Sequence, residues 1–280
     1  MIELTFPHSI VSSEWLSENL EQPNLVILDA SMPKAGSKEP LPTVGIKGAR
    51  KLDIKKVFSD TSSPLPNTML SPKAFDQAAQ DLGINKDSVI VVYDYLGLYS
   101  AARVWWMFKA MGHQNIAVLD GGLPAWETAG LEVAAIEIST YPKGDFEANY
   151  QADLILGAKE VLASLNQPNK QILDARSAGR FNGTAPEPRA ELRSGHIPSS
   201  LSLPYSQLLE NGFFKPRTEL QKIFEELNIT NQDLIFSCGS GITACILALG
   251  AESAGLTQQK AVYDGSWTDW GADKDLPIEE

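Results

Sequence analysis

Apolar residues in this chain come in short runs, and each run ends on an acidic or small polar residue. Leu-Val-Ile-Leu-Asp-Ala occupies residues 25–30, Ser-Val-Ile-Val-Val-Tyr-Asp 88–94 and Ala-Val-Leu-Asp-Gly-Gly 117–122. Further on, Gln-Ile-Leu-Asp-Ala-Arg occupies 171–176, Asp-Leu-Ile-Phe-Ser-Cys 233–238 and Ala-Val-Tyr-Asp-Gly-Ser 261–266. Continuous β-branched runs such as Val-Ile-Val-Val read as strands buried on both faces. Residues 100–111 read as an apolar-rich helix stopped by Gly112, and residues 243–254 as its counterpart stopped by Gly255. Strands alternating with helices predict an α/β fold, each domain a mostly parallel sheet flanked by helices. In such sheets the sites lie at the carboxyl ends of the strands.

The pattern occurs twice. Asp94 and Cys238 are 144 residues apart, Asp120 and Asp264 also 144, and Asp29 and Asp174 145. A near-constant offset over three anchors predicts a duplication. Residues 136–151 show no strong period and contain Pro142 and Gly144, so the chain divides into domains at 1–138 and 151–280, with a linker at 139–150.

Composition narrows the function without naming it. Of 280 residues, 43% are hydrophobic and 21% charged, which suits two globular domains with sizeable cores. The formal net charge of −12 argues against nucleic acid as a partner and requires any anion site to be built locally from particular arginines. Two cysteines make no disulfide framework. The first residues lack a basic region followed by an apolar one, so no secretory signal is expected, and no apolar run is long enough to predict a membrane span. A reducing cytoplasm is the expected location, one that keeps a thiol available. The sequence calls for no cofactor and no metal.

The candidate chemistry sits where the fifth of these runs ends. Residues 238–243 read Cys-Gly-Ser-Gly-Ile-Thr, a glycine-rich turn between a strand and a helix. The free amides and dipole of a helix start favour an anion, so a thiolate at Cys238 is well placed as a nucleophile. Buried cysteines are more often small core residues, and Cys245, within Ala-Cys-Ile-Leu-Ala-Leu, reads as one of these. In the first half the matching position holds Asp94, followed by aromatic residues. One copy keeps the turn and the other only the fold. Asp94 as a general base is the weaker alternative.

These motifs resemble the two-domain rhodanese-like sulfurtransferases over nearly the whole chain. The resemblance is carried by residues 98–108 (Leu-Tyr-Ser-Ala-Ala-Arg-Val-Trp-Trp-Met-Phe), 119–126 (Leu-Asp-Gly-Gly-Leu-Pro-Ala-Trp), 174–189, 194–198 (Ser-Gly-His-Ile-Pro) and 263–270 (Tyr-Asp-Gly-Ser-Trp-Thr-Asp-Trp). It implies tandem rhodanese-like domains, the second catalytic and the first not. Family members that use thiosulfate look like Cys-Arg-x-Gly-Val-Thr; those that use 3-mercaptopyruvate look like Cys-Gly-Ser-Gly-Val-Thr. This chain matches the latter, with Ile242 for Val. The resemblance therefore implies Cys238 as the persulfide-forming nucleophile and Ser240 as a second catalytic group. It implies substrate contacts from Gly239, Gly241, Ile242 and Thr243, and a carboxylate held by Arg180 and Arg189. Pairing of these arginines with Glu187 or Glu191 is the structural alternative, and capping of the following helix is the alternative for Ser240.

The implied partners are a small sulfur donor and a thiol, thioredoxin-like or cyanide acceptor, and a monomer suffices for one site. Some members add an Asp and a His that form a triad with the loop serine. The matching stretch here is Gly45-Ile46-Lys47-Gly48-Ala49, so the triad is not carried over: Ser240 works alone, or Lys47 assists it. His196 reads as structural. A cysteine phosphatase would need Cys-x5-Arg, but Ala244 stands six residues after Cys238. A thiosulfate sulfurtransferase and a noncatalytic sulfur-binding module are the remaining alternatives.

Overall fold

The computed structural model describes residues 6, 8–136 and 139–280. Residues 1–5 and Pro7, where no secretory signal was expected, and Glu137 and Ile138 at the edge of the linker stretch lie outside the described residues. The chain divides into two compact units. One comprises Met1–Asp60, Met69–Gln151 and Asn211–Phe213; the other comprises Thr61–Thr68, Ala152–Glu210 and Phe214–Glu280.

In chain order the first half contains β1 (Ile10–Val11), α1 (Ser13–Asn19), β2 (Leu25–Asp29), β3 (Val44–Ile46), β4 (Arg50–Lys51), α2 (Pro72–Asp81), β5 (Val89–Tyr93), α3 (Ala101–Ala110), β6 (Ile116–Leu119), α4 (Gly122–Thr128) and β7 (Val133–Ala135). The second half contains β8 (Ile155–Leu156), α5 (Ala158–Ser164), β9 (Lys170–Asp174), α6 (Ala178–Phe181), β10 (Leu201–Ser202), β11 (Leu209–Glu210), β12 (Phe213–Phe214), α7 (Arg217–Glu226), β13 (Asp233–Ser237), α8 (Ala244–Ala254), β14 (Lys260–Tyr263) and α9 (Ser266–Trp270).

Each half builds one five-stranded sheet, and the two share a topology. The first runs β1-β6-β5-β2-β4 and the second, from the equivalent edge, β8-β14-β13-β9-β10. Every pairing in both sheets is parallel. The central pairs are matched in register: Asp29 lies beside Tyr93, and Asp174 beside Ser237. The duplication read from sequence offsets is thus a duplication of strand order. Outside these sheets β3 pairs antiparallel with β7, and β11 with β12 forms a second two-stranded sheet.

The middles of the central strands are apolar because helices cover both faces. All five residues of β5 are buried. Helix α8 is apolar from Ala244 to Ala251 and buried all round over that stretch, and it stops at Gly255, whose φ of +83° few other residues adopt without strain. In the first half Phe58, Phe75, Phe108 and Phe146 interlock edge to face, Phe75 and Phe108 with centroids 5.0 Å apart at 79°. In the second half Trp267 and Trp270 are wholly buried among Val161, Ile172, Ile197 and Ile235. Among the described residues, no helix is long and apolar enough to cross a membrane.

Candidate active site

Strand β13 delivers Cys238 at its carboxyl end, 2% exposed, and the chain turns through Gly241 (φ +77°) into α8. The turn is held from one side by the start of α9. The Trp267 amide donates to the Cys238 carbonyl at 3.0 Å, and the Thr268 amide and hydroxyl donate to the Gly239 carbonyl at 2.9 and 2.6 Å. Ser266, at φ +50° and fully buried, accepts from the Cys238 amide at 3.1 Å, donates to the Tyr263 carbonyl at 2.8 Å and lies 3.8 Å from Cys238 Sγ. A hydroxyl with one proton between a carbonyl and a sulfur can follow the charge on that sulfur. Burial, with the nearby Asp269 charge, pushes the Tyr263 phenol well above its usual range, so it stays protonated and donates to Asp269 Oδ2 at 2.8 Å.

The first-half copy of this turn shows what the loop conformation accepts. There Asp94 is buried, and its carboxyl receives the amides of Leu96, Tyr99, Ser100 and Ala101 at 2.8–2.9 Å, the last three on one oxygen. Burial raises the Asp94 carboxyl above its ordinary range, and the four amides work against that rise. A proton-accepting role for Asp94 is therefore corrected: its oxygens are occupied by its own loop. The Asp94 turn is a set of converging N–H donors filled by a carboxyl, and the equivalent position in the second half holds Cys238.

Both arginines singled out from the sequence converge on Gly239. Arg180 lies against it: a Cβ at that position would stand 3.2 Å from Nη2. Arg189 Nη1 donates at 2.8 Å to the Thr268 hydroxyl, which itself donates to the Gly239 carbonyl. The alternative of a Glu187 pair also holds for Arg180, whose Nε and Nη2 bind the Glu187 carboxylate at 2.5–3.2 Å. Glu187 is a 2%-exposed anchor shared with Arg176, a buried arginine stacked 4.2 Å over the Trp267 ring and paired with Asp174. The pairing fixes Arg180 beside the turn, partly exposed. Among the described residues neither arginine pairs with Glu191; Arg189 is partly buried and holds Thr268 instead.

Ser240 does not cap α8, whose first-turn cap is Thr243 without a side-chain bond. Its carbonyl and hydroxyl instead accept from Asn67 Nδ2, at 3.0 and 3.2 Å. Lys47, considered as an aid to Ser240, is paired with Glu132, and both are well exposed. Cys245 is core: fully buried, its thiol donates to the Gly241 carbonyl at 3.3 Å. His196 stacks on Phe181 at 3.8 Å and its Nδ1 meets the Phe181 carbonyl, a structural placement. The sequence names Glu187 only as a pairing alternative, and Asn67, Ser266 and Thr268 not at all as site residues. Ser266 and Thr268 lay inside a quoted motif, whereas Asn67, 173 residues from Ser240, gave no signal. Among the described residues no group of three or more His, Cys, Asp or Glu is arranged to hold a metal.

A turn that places a buried cysteine between the carboxyl end of a central strand and the start of a helix, within a duplicated parallel α/β fold, defines a class. The rhodanese-like domain model matches residues 12–129 and 157–273, and the chain belongs to that family. It is 37% identical to the 3-mercaptopyruvate sulfurtransferase of Escherichia coli K12, over 96% of this chain and 97% of that one. It is 39% identical to an Arabidopsis thaliana protein named thiosulfate/3-mercaptopyruvate sulfurtransferase 1, mitochondrial, over 96% and 78%. It is 37% identical to the rat thiosulfate sulfurtransferase, over 96% and 94%. The crystal structure of an Escherichia coli 3-mercaptopyruvate sulfotransferase superposes with a TM-score of 0.83 at 34% identity, covering 93% of this chain and 99% of that one.

Proposed function

We propose that this protein is a sulfurtransferase that takes sulfur from 3-mercaptopyruvate through a persulfide on Cys238. One observation carries the choice of donor. The turn itself has no cationic side chain, while Arg180 and Arg189 reach Gly239 from outside it. A compact dianion such as thiosulfate calls for positive charge inside the turn. A monocarboxylate with a carbon skeleton can place its sulfur over Cys238 and its carboxylate against flanking arginines.

The Cys238 thiolate attacks the donor sulfur, the carbon–sulfur bond breaks, and its electron pair leaves on carbon as pyruvate enolate. The enolate takes a proton and departs as pyruvate. Amides of residues 239–243 stabilise the charged sulfur before and after transfer. Ser240 donates toward the oxygen on which the enolate charge gathers. An acceptor thiolate, a thioredoxin-like protein or cyanide then attacks the outer sulfur and restores Cys238. The first half holds its own cradle closed and is noncatalytic. One chain carries the complete turn, so a monomer suffices, and a reducing compartment such as the cytoplasm suits the two free thiols.

Intact-mass measurement tests the reading. Incubation with 3-mercaptopyruvate adds one sulfur, about 32 Da, to the wild type and none to Cys238→Ser. Faster loading from thiosulfate would transfer the assignment to a thiosulfate sulfurtransferase, the reading favoured by the rat relative. No gain from either donor would leave a binding module.

A further inference from the structure

Ser240 is met by a side chain from the other end of the sequence. Asn67 belongs to Thr61–Thr68, a segment of the first half that clusters with the second unit. The segment is a tight turn: the Leu65 amide donates to Ser63 Oγ at 3.1 Å, and the Thr68 hydroxyl bonds Ser63 Oγ and the Leu65 carbonyl at 2.8 and 3.0 Å. At its end Asn67 stands at φ +60°, a left-handed conformation that Asn tolerates better than most residues, and only 9% exposed. From there Nδ2 donates to both the carbonyl and the hydroxyl oxygen of Ser240.

The direction of these bonds decides the chemistry open to Ser240. A carboxamide nitrogen donates and does not accept, and it does not titrate in the working range. It therefore cannot take the hydroxyl proton. With one lone pair of Oγ engaged by Asn67, the Ser240 proton turns away from Asn67, and the serine is fixed as a neutral donor. We propose that Asn67 is the positioning residue that holds Ser240 as a hydrogen-bond donor to the keto and enolate oxygen of the sulfur donor, and that no general base ionises this serine. The proposal rests on the 3-mercaptopyruvate reading above. It makes the loop serine an oxyanion donor aimed at charge that develops as the carbon–sulfur bond breaks, so its effect falls on kcat rather than KM.

A double-mutant cycle with a pH profile tests it. Ser240→Ala is expected to lower kcat for 3-mercaptopyruvate about 100-fold, and Asn67→Ala about 10-fold with KM moving less than about 3-fold. The double variant should fall well short of the product of the two losses, because one of the two bonds from Asn67 acts through that hydroxyl. In the wild type kcat should show no ionisation between about pH 6 and 8 that Ser240→Ala removes. Asn67→His, which suits the same backbone conformation and supplies a titratable acceptor, should introduce one near pH 6.5. If the Asn67→Ala loss multiplies with that of Ser240→Ala, or if Asn67→Ala leaves kcat unchanged, the positioning role is overturned. A wild-type ionisation near neutrality that Ser240→Ala abolishes would overturn the unionised serine. The mass shift separates this from the donor assignment. Wild type that gains no sulfur from 3-mercaptopyruvate sinks the donor reading, whereas wild type that gains it while the cycle is multiplicative sinks only Asn67.

Discussion

At the scale of single residues, the site depends on side chains that bond the turn from outside. Ser266 is the sharpest case, because its hydroxyl serves the Cys238 amide and the Tyr263 carbonyl and lies within reach of the sulfur. Ser266→Gly preserves the +50° backbone and removes the hydroxyl; Ser266→Ala removes it and adds strain. Both leave a buried amide without its acceptor, a cost of about 1–3 kcal/mol. Persulfide loading should slow in both, with the Ala variant also melting lower; equal loading rates in Ser266→Gly and wild type would show that the hydroxyl is only structural. For Arg180, Lys is not an equivalent: it breaks the two-oxygen grip on Glu187 and withdraws the planar guanidinium from Gly239. Arg180→Lys should raise KM for 3-mercaptopyruvate about 10-fold, one lost charge-assisted bond, with a smaller change in the rate of an acceptor-limited half-reaction. At this scale the sequence was legible where chemistry clusters locally. A cysteine in a glycine turn and two arginines in one motif declare themselves by residue type. Asn67 does not, since an asparagine in a Ser- and Pro-rich turn looks like any other turn residue until the fold brings it 173 positions to Ser240.

At the scale of elements, the two copies of the strand–turn–helix unit behave as an experiment and its control. Cys238 and Asp94 stand at equivalent places, and the amides around Asp94 close on a carboxyl. Asp94→Ala would leave three or four buried amides unpaired, so a fall of several °C in melting temperature is expected. Persulfide loading per folded molecule should stay at the wild-type level, as measured by intact mass after thermal calibration. Helices were well legible at this scale: residues 100–111 and 243–254 bracket α3 and α8, because Gly112 and Gly255 stop helices by their backbone. The two-residue edge strands β1, β4, β8 and β10 were not, since two residues cannot display a period. The antiparallel β3–β7 pair was missed for a related reason. Its pattern is short, and Gly45 was weighed for what it lacked, whereas a Cβ there would strike the Tyr93 hydroxyl, which bonds the Ile46 amide.

At the scale of the whole molecule, acid stability has a specific origin in the first half. His113 is buried against Phe108 and Phe146, and that burial lowers its pKa from the ordinary 6.5. Between that lowered value and 6.5 the unfolded chain binds a proton that the folded chain refuses. Its contribution to stability is therefore complete above pH 6.5 and is lost as pH falls below it. The melting temperature should drop between about pH 6.5 and 5, and His113→Gln should flatten that limb even if it lowers the curve as a whole; an unchanged slope would place the effect elsewhere. The duplication was legible at this scale from three offsets, and it appears as matched strand order. What no offset revealed is that Thr61–Thr68 groups with the second unit.

That grouping has a consequence for biosynthesis. A ribosome adds about 5–20 residues per second, so Ser240 emerges roughly 10–35 s after Asn67. For that interval the turn at 61–68 exists without the loop it serves. Ser240 is not gripped by Asn67 until almost the entire chain has been made. A nascent fragment lacking the last strands would be folded in part and inert, and activity would arrive as one late event.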